Sequence, residues 1–450
     1  MGLRVSAIVR GRGPLSDRVA FLGLSHLGIV SSAAWAARGL SVVAIDPDAD
    51  LVSALSHGEP PVHELGLPEL IASARERLRY SARLDEVAGC AMVVVSRDVP
   101  TDDDGRSDVG VITDLIGAAI PHLAQDVTIV LMSQVAPGYT RALGDRLVRQ
   151  RPDLRFRLHY VVETLVLGDA VRRATRPERF IVGAADAREP IAPALREALE
   201  RFGCPILEMS YESAELAKTA INLYLIGSVT YANTMADLCE AVGADWSQIV
   251  PALRLDARIG PAAYLRPGLG IAGGNLERDL ETLRAIGRTH DVDLTLLTAL
   301  AAHNERRFEW VLRRLDDVLA TSSGRKPTIA IWGLAYKKGT RSLKNAASLR
   351  LIERMRGRAA VRAWDPIVTK DDLERVLGHD HAVGLASSPE ETVVGADCLV
   401  ILTDSDEIRA LDPASVRRRM RRPVIIDCVG IIDASRALRD DPDLRFMGRS

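Results

Sequence analysis

Residues 19–46 constrain this chain more than any other stretch. An unbroken apolar run, Val19–Leu24, leads through a short turn into a helix-like run from Ile29 to Arg38. Gly39 stops that run, and a second apolar strand, Ser41–Ile45, ends at Asp46. A strand without polar alternation is buried on both faces, as in a parallel sheet covered by helices on each side. Similar apolar strands recur at Met92–Val95, Val127–Met132 and Phe180–Val182, with helical stretches between them. The pattern predicts a doubly wound, Rossmann-like α/β domain over residues 1–205.

From Ser213 to Val242 the chain has no proline and one glycine, Gly227, and Leu216, Ala220, Leu223 and Ile226 fall at helical spacing. A helix of that length runs about 45 Å, which suits a spine between domains and a dimer interface; residues 206–320 are read as a helical connector. After the polar stretch TSSGRKP (321–327), strands are expected at Thr328–Trp332, Ala360–Trp364, Cys398–Leu402 and Val424–Ile426. Residues 321–450 are therefore a second Rossmann-like module. The expected fold class is α/β, with two doubly wound domains joined by a long central helix.

A chain of 450 residues with 58 basic and 60 acidic side chains has no electrostatic pull toward nucleic acid or an anionic membrane. No apolar run approaches the roughly 20 residues that span a bilayer. The opening residues, with arginines on both sides of a short apolar piece, do not read as a signal peptide. A cytoplasmic, multi-domain enzyme is expected. Five cysteines (90, 204, 239, 398, 428) stand far apart and read as reduced thiols. His379 and His381 form the sole close histidine pair, in a polar loop, and no metal site is expected. Only six of the basic residues are lysine: 218, 326, 337, 338, 344 and 370.

Gly23-Leu-Ser25-His26-Leu27-Gly28 occupies the place of a G-x-G-x-x-G turn. The first glycine permits the turn, the last lets helix and strand pack closely, and the N–H groups at the helix start can hold a pyrophosphate. Asp46 stands where a carboxylate takes hydrogen bonds from a ribose diol and disfavours a 2′-phosphate, so NAD is expected over NADP. The middle glycine is Ser25, whose side chain must point away from the pyrophosphate.

With later segments added, the sequence resembles the nucleotide-sugar 6-dehydrogenases, the UDP-glucose, UDP-N-acetylmannosamine and GDP-mannose dehydrogenase family, from about residue 18 to 435. A stretch like that family's G-x-P-x-x-E-x-G-L, one residue longer, runs through Gly58, Glu64, Gly66 and Leu67, and its A-E-x-x-K-x-x-x-N helix is matched by Ala214, Glu215, Lys218 and Asn222. Asp256, Arg258, Ile259 and Gly260 follow, then Pro267, Gly268 and Gly270. The C-terminal module carries Gly333-Leu-Ala-Tyr336-Lys337, Thr340 and Asp365-Pro366.

The resemblance implies an NAD-dependent enzyme that oxidises a sugar CH–OH in two hydride transfers, the second through a cysteine thiohemiacetal. It assigns Lys218 and Asn222 to the oxygen that becomes negative and Asp279 to a water that takes up its proton. An ammonium suits that task, because its pKa can be tuned as arginine's cannot. Glu163 matches an acid that positions or activates water, and stays open between a structural and a chemical role. Ser133 joins the cofactor side; Arg258, Gly268, Gly270 and Lys337 fall on the substrate side.

Counting along Pro267–Asp279 puts Asn275 where the family's nucleophilic cysteine stands, with Gly274 for the serine before it. A carboxamide forms no such adduct. Other departures are Arg97-Asp98-Val99-Pro100 for V-P-T-P, Ser342 and Lys344 for the acid and arginine of T-x-D-x-R-E-S, and Val429 for the arginine of D-x-R. The expected function is a single hydride transfer on a nucleotide-activated or nucleoside-linked sugar, with removal and return of the hydride as a variant. Alternatives are an inactive, nucleotide-binding regulatory or scaffold homologue, and net oxidation by a cysteine-free route. The expected partners are the sugar substrate and a second copy of the chain.

Overall fold

The computed structural model describes residues 18–102, 106–320, 325–379, 382–432 and 443–448. The opening segment, the linker residues 321–324 and His381 lie outside them. The chain divides into two compact units: residues up to Pro100 with Asp108–Lys218, and Thr101–Ser107 with Thr219 onward.

The first unit holds, among the described residues, an eight-stranded sheet: β1 (Arg18–Leu22), β2 (Ser41–Ile45), β3 (Leu78–Ser81), β4 (Met92–Val95), β5 (Val127–Leu131), β6 (Phe156–Val161), β7 (Phe180–Ala184) and β8 (Ile206–Ser210). Their order is β3-β2-β1-β4-β5-β6-β7-β8, with every pair parallel except β6 and β7. The order reverses between β1 and β4, which opens a crevice at their C-terminal ends. Helix His26–Ala37 buries nearly its whole surface, since its small Ser, Gly and Ala residues let it lie close on the sheet. It begins three residues before the sequence reading placed it, because Ser25 already takes the N-cap position and Gly28 falls inside the first turn. In this core Phe21 meets Trp35 and Phe180 meets Phe202 edge-to-face, while Trp35 and Phe202 pack at a tilt.

The second unit is built on β9 (Thr328–Trp332), β10 (Ala360–Trp364), β11 (Val383–Leu385), β12 (Cys398–Ile401), β13 (Val424–Asp427) and β14 (Leu444–Phe446). These run parallel in the order β11-β10-β9-β12-β13-β14, the same doubly wound plan. Helix Tyr211–Val242, 32 residues long, carries the chain from the first unit into the second between Lys218 and Thr219. In the second unit its Ile226 packs with Leu280 and Leu300 of helices Asn275–Thr289 and Thr295–Arg307. Among the described residues no helix is long and apolar enough to cross a membrane.

Candidate functional site

In the first unit, Gly23 closes the turn after β1 with φ +93°, and its N–H donates to Ile45 O at 2.8 Å. A Cβ on Gly28 would stand 1.9 Å from Gly23 O, so helix and strand approach as the motif requires. Leu24 N donates to Asp46 Oδ2 at 2.7 Å and Asp48 N to Asp46 Oδ1 at 3.1 Å, which fixes the buried carboxylate at the end of β2. Ser133 is buried beyond β5, its hydroxyl 3.5 Å from Val95 O. The backbone at Gly23, Ser25, Leu27 and Gly28 is thus the part of the first unit that could hold a dinucleotide, at the switch point between β1 and β4.

The side chains around the cradle are engaged. Ser25 Oγ accepts Asp98 N–H at 2.6 Å, which turns the hydroxyl toward the loop after β4. His26 Nε2 lies 2.8 Å from Glu64 Oε1. Glu64 also accepts Gly168 N at 2.8 Å and Ala170 N at 3.2 Å. Burial pushes the Glu64 carboxyl upward, but His26 and these two N–H groups outweigh it and hold the group below its ordinary range. Arg97 Nη1 donates to Asp46 Oδ2 at 2.9 Å, and the carboxylate of Asp98 accepts Leu27 N at 3.1 Å. The sequence reading noted residues 97 and 98 as departures without giving them partners. The signal was there: opposite charges side by side, directly after a strand that neighbours the glycine turn.

Lys218 and Asn222 stand one turn apart on the long helix, and each is paired within its own unit. In the first unit Lys218 Nζ lies 3.5 Å from Glu163 Oε2, with both side chains largely shielded, and Glu163 also accepts Leu165 N. In the second unit Asn222 donates to the buried Asp279, which Arg278 Nε reaches at 3.1 Å. Asn275 is the first residue of helix Asn275–Thr289 and Gly274 is its N-cap; the side chain of Asn275 lies outside what the structure describes. Tyr336 and Lys344 cover this helix start: a Cβ on Gly273 would fall 2.4 Å from the Tyr336 ring, and one on Gly274 2.9 Å from Lys344 Cε. Nearby, burial pushes the Glu277 carboxyl up, Glu305 adding to the shift while the Asn345 amide opposes it.

A cavity of about 420 Å³ in the second unit is lined by Gly268, Gly270 and Lys337, together with Arg266, Tyr336 and Lys338. Gly268 N is held by Asn233 Oδ1 at 2.8 Å. Arg258 is not in that lining; it sits on an exposed turn and pairs with Asp256 at 2.6 Å. The five cysteines are free. Cys398 and Cys428 are buried in the core under the second sheet, Cys428 where that core backs the cavity wall, and burial pushes both thiols well up. Burial likewise raises Cys90 to about 11 and shifts Cys204 and Cys239 upward.

Family models match three consecutive parts of the chain: the NAD binding domain of the UDP-glucose/GDP-mannose dehydrogenase family at residues 17–201, its central domain at 212–306 and its UDP binding domain at 330–434. A UDP-glucose 6-dehydrogenase of Pseudomonas aeruginosa is 30% identical over 91% of this chain and 92% of its own length. The chain belongs to the UDP-glucose/GDP-mannose dehydrogenase family. A Haloferax volcanii UDP-glucose 6-dehydrogenase is 29% identical over 91% of this chain and 96% of its own. Among solved structures, a UDP-glucose dehydrogenase from Pyrobaculum islandicum shares the fold with a TM-score of 0.84 at 24% identity, covering 99% of this chain and all of that one. A UDP-D-ManNAc dehydrogenase from Pyrococcus horikoshii does so at 0.82 and 23%, covering 96% and 99%. With the family comes the cofactor: the chain carries the NAD-binding domain of NAD-dependent oxidoreductases that act on CH–OH groups.

Proposed function

We propose that this protein oxidises one CH–OH group of a nucleotide-activated sugar and stops after a single hydride transfer. NAD, when bound, supplies the hydride acceptor. On this reading the Lys218 ammonium and the Asn222 amide hold the hydroxyl oxygen as it becomes negative, and Asp279 holds a water that carries off the proton. The hydroxyl then loses its proton, the carbon its hydride, and a carbonyl remains. The cavity that contains Lys337, Gly268 and Gly270 is the proposed seat of the nucleotide diphosphate, in keeping with the family's UDP-binding domain there.

The observation that carries the one-step reading is the state of the thiols. A second transfer by the family's route needs a thiolate to convert the aldehyde into a hydride donor. Residue 275, at the nucleophile's place in the loop, is an asparagine, and burial holds all five thiols above the ordinary cysteine range. Counting NADH released per sugar consumed tests this. One equivalent, unchanged by thiol alkylation, is expected; two equivalents would reject the single step.

A second reading, an inactive nucleotide-binding regulatory homologue, draws support from Arg97 and Asp98, which engage cofactor-side groups. It predicts no turnover with any activated sugar. Self-association is proposed along the exposed face of helix Tyr211–Val242, where Tyr224, Tyr231, Leu238 and Val242 are exposed at helical spacing. Sedimentation at micromolar concentration should return two copies, and a monomer would sink this point.

A further inference from the structure

We infer that Arg97 and Asp98 form an internal counterpart of the dinucleotide, and that they set both the affinity for the cofactor and the choice between NAD and NADP. The inference rests on the NAD-binding domain and not on how many hydrides are moved. The two charges stand where opposite parts of the cofactor would be recognised. Asp98, an anion, accepts the N–H of Leu27 at the start of helix His26–Ala37, the end of a helix that favours negative charge and the place the pyrophosphate would take. Arg97, a cation, donates to Asp46, the carboxylate that would receive the ribose diol.

Lone-pair counting shows how far the second contact goes. A carboxylate offers about four acceptor positions. On Asp46, Oδ2 receives both Leu24 N and Arg97 Nη1, while Oδ1 receives Asp48 N. One position is left for a diol that presents two hydroxyls, so full ribose recognition requires Arg97 to turn away. Once turned, a guanidinium beside the ribose is a partner for a 2′-phosphate. Arg97 therefore works against the NAD preference that Asp46 alone would impose.

The arrangement is built rather than incidental. Ser25 and Asp98 depart together from the family's glycine turn and V-P-T-P segment, and they depart in complementary ways. Proline at position 98 would have no N–H; aspartate has one and donates it to Ser25 Oγ at 2.6 Å. The serine that replaces the middle glycine thereby pins the residue whose carboxylate reaches the helix start. Gly23 completes the clamp, since its missing Cβ would lie 2.7 Å from Arg97 Cβ, and the arginine stem rests directly on the turn.

Calorimetry of the full-length protein with NAD and NADP tests the inference. Asp98→Ala removes an anion from the pyrophosphate place and should tighten both cofactors by a similar factor, about tenfold. Asp98→Asn, which keeps the acceptor without its charge, should fall between native and Ala. Arg97→Val should tighten NAD while weakening NADP, raising the NAD-to-NADP affinity ratio by about tenfold. Native affinity equal to that of Asp98→Ala would overturn the inference, as would weaker NAD binding by Asp98→Ala at an unchanged melting temperature, which would make Asp98 a cofactor contact. A shared failure of native and variants to bind NAD would overturn it together with the cofactor site itself. Two NADH per sugar, by contrast, would remove the single-step reading and leave these affinity shifts standing.

Discussion

At Gly23 and at Gly333 the backbone performs the same manoeuvre. Each glycine follows the first strand of its sheet with a positive φ, +93° and +86°, and each donates its N–H to the last residue of the next strand, Ile45 O at 2.8 Å and Trp364 O at 2.9 Å. In both, the following N–H is caught at 2.7 Å by an aspartate one strand over, Asp46 and Asp365. The residue against which each glycine is pressed also corresponds: Arg97 in one, Thr403 in the other, each followed by an aspartate. There the likeness ends. Asp365 receives four backbone N–H groups, from Leu334, Ala335, Ile367 and Val368, and Asp404 is held by Arg409 at 2.7 Å. Asp46 receives two and an arginine, and Asp98 lies on a helix start. After Gly23 a helix begins within three residues, whereas after Gly333 a loop through Ala346 carries Lys337, Lys338 and Lys344. One frame thus leads to two continuations: a helix start capped by an aspartate, and a basic loop beside a cavity.

The largest expected effect separates the two aspartates. Asp365→Ala strands four N–H groups in a partly buried turn and should cost about 3 kcal/mol of stability. Asp46→Ala strands only two and frees Arg97 to water, so it should cost about 2 kcal/mol. Urea unfolding of the two variants measures the gap, and equal losses would erase the distinction drawn between the turns. A smaller effect divides the ligands. Lys337→Ala should weaken UDP binding about tenfold, the scale of one charge-assisted hydrogen bond, and leave NAD affinity in place. Weakening of both by the same factor would show that the two turns do not divide the work.

The smallest effect concerns a carboxylate cluster in each unit: Glu86 ties Arg79, Ser81 and Arg18 in the first, as Asp397 ties Arg325 and Thr328 in the second. The Arg79 hydrogen bond is the main cause that lowers Glu86 from 4.5 to about 2. Between those values the unfolded chain binds the proton more readily, so this contribution is present above pH 4.5 and disappears as pH falls toward 2. Because Arg79 is half exposed, Glu86→Gln should cost only about 0.5 kcal/mol near neutrality. The cost should vanish at pH 2; a penalty that persists there would locate it in packing instead.

The central strands and the spine were legible because burial on both faces writes an uninterrupted apolar run, as in β1, β4 and β12. Edge strands write no such run. β3 (LRYS) and β8 (ILEMS) each have one side open, carry polar residues and escaped the reading, as did β6, whose His159 is buried and pushed down to about 4 chiefly by desolvation. The glycine turn, Asp46 and the Lys218–Asn222 spacing were readable because backbone geometry and helical period dictate them. The pairings were not. That Arg97 would meet Asp46, 51 residues away in sequence, depends on β1 lying between β2 and β4, a neighbourhood that no local pattern contains. Arg258 illustrates the converse, since a motif position told nothing of the Asp256 carboxylate that holds it on an exposed turn.

The stem of Lys344 resting on Gly274 bears on how this lineage can change. With φ at +90°, position 274 is uncomfortable for any residue but glycine, and a serine there would also displace the lysine. Writing a cysteine at 275 alone would therefore give a nucleophile without its usual neighbour, and writing the serine first would strain the loop for no gain. On the proposed single-transfer reading, four-electron chemistry would call for changes at both positions together, so that neither substitution alone would bring it about.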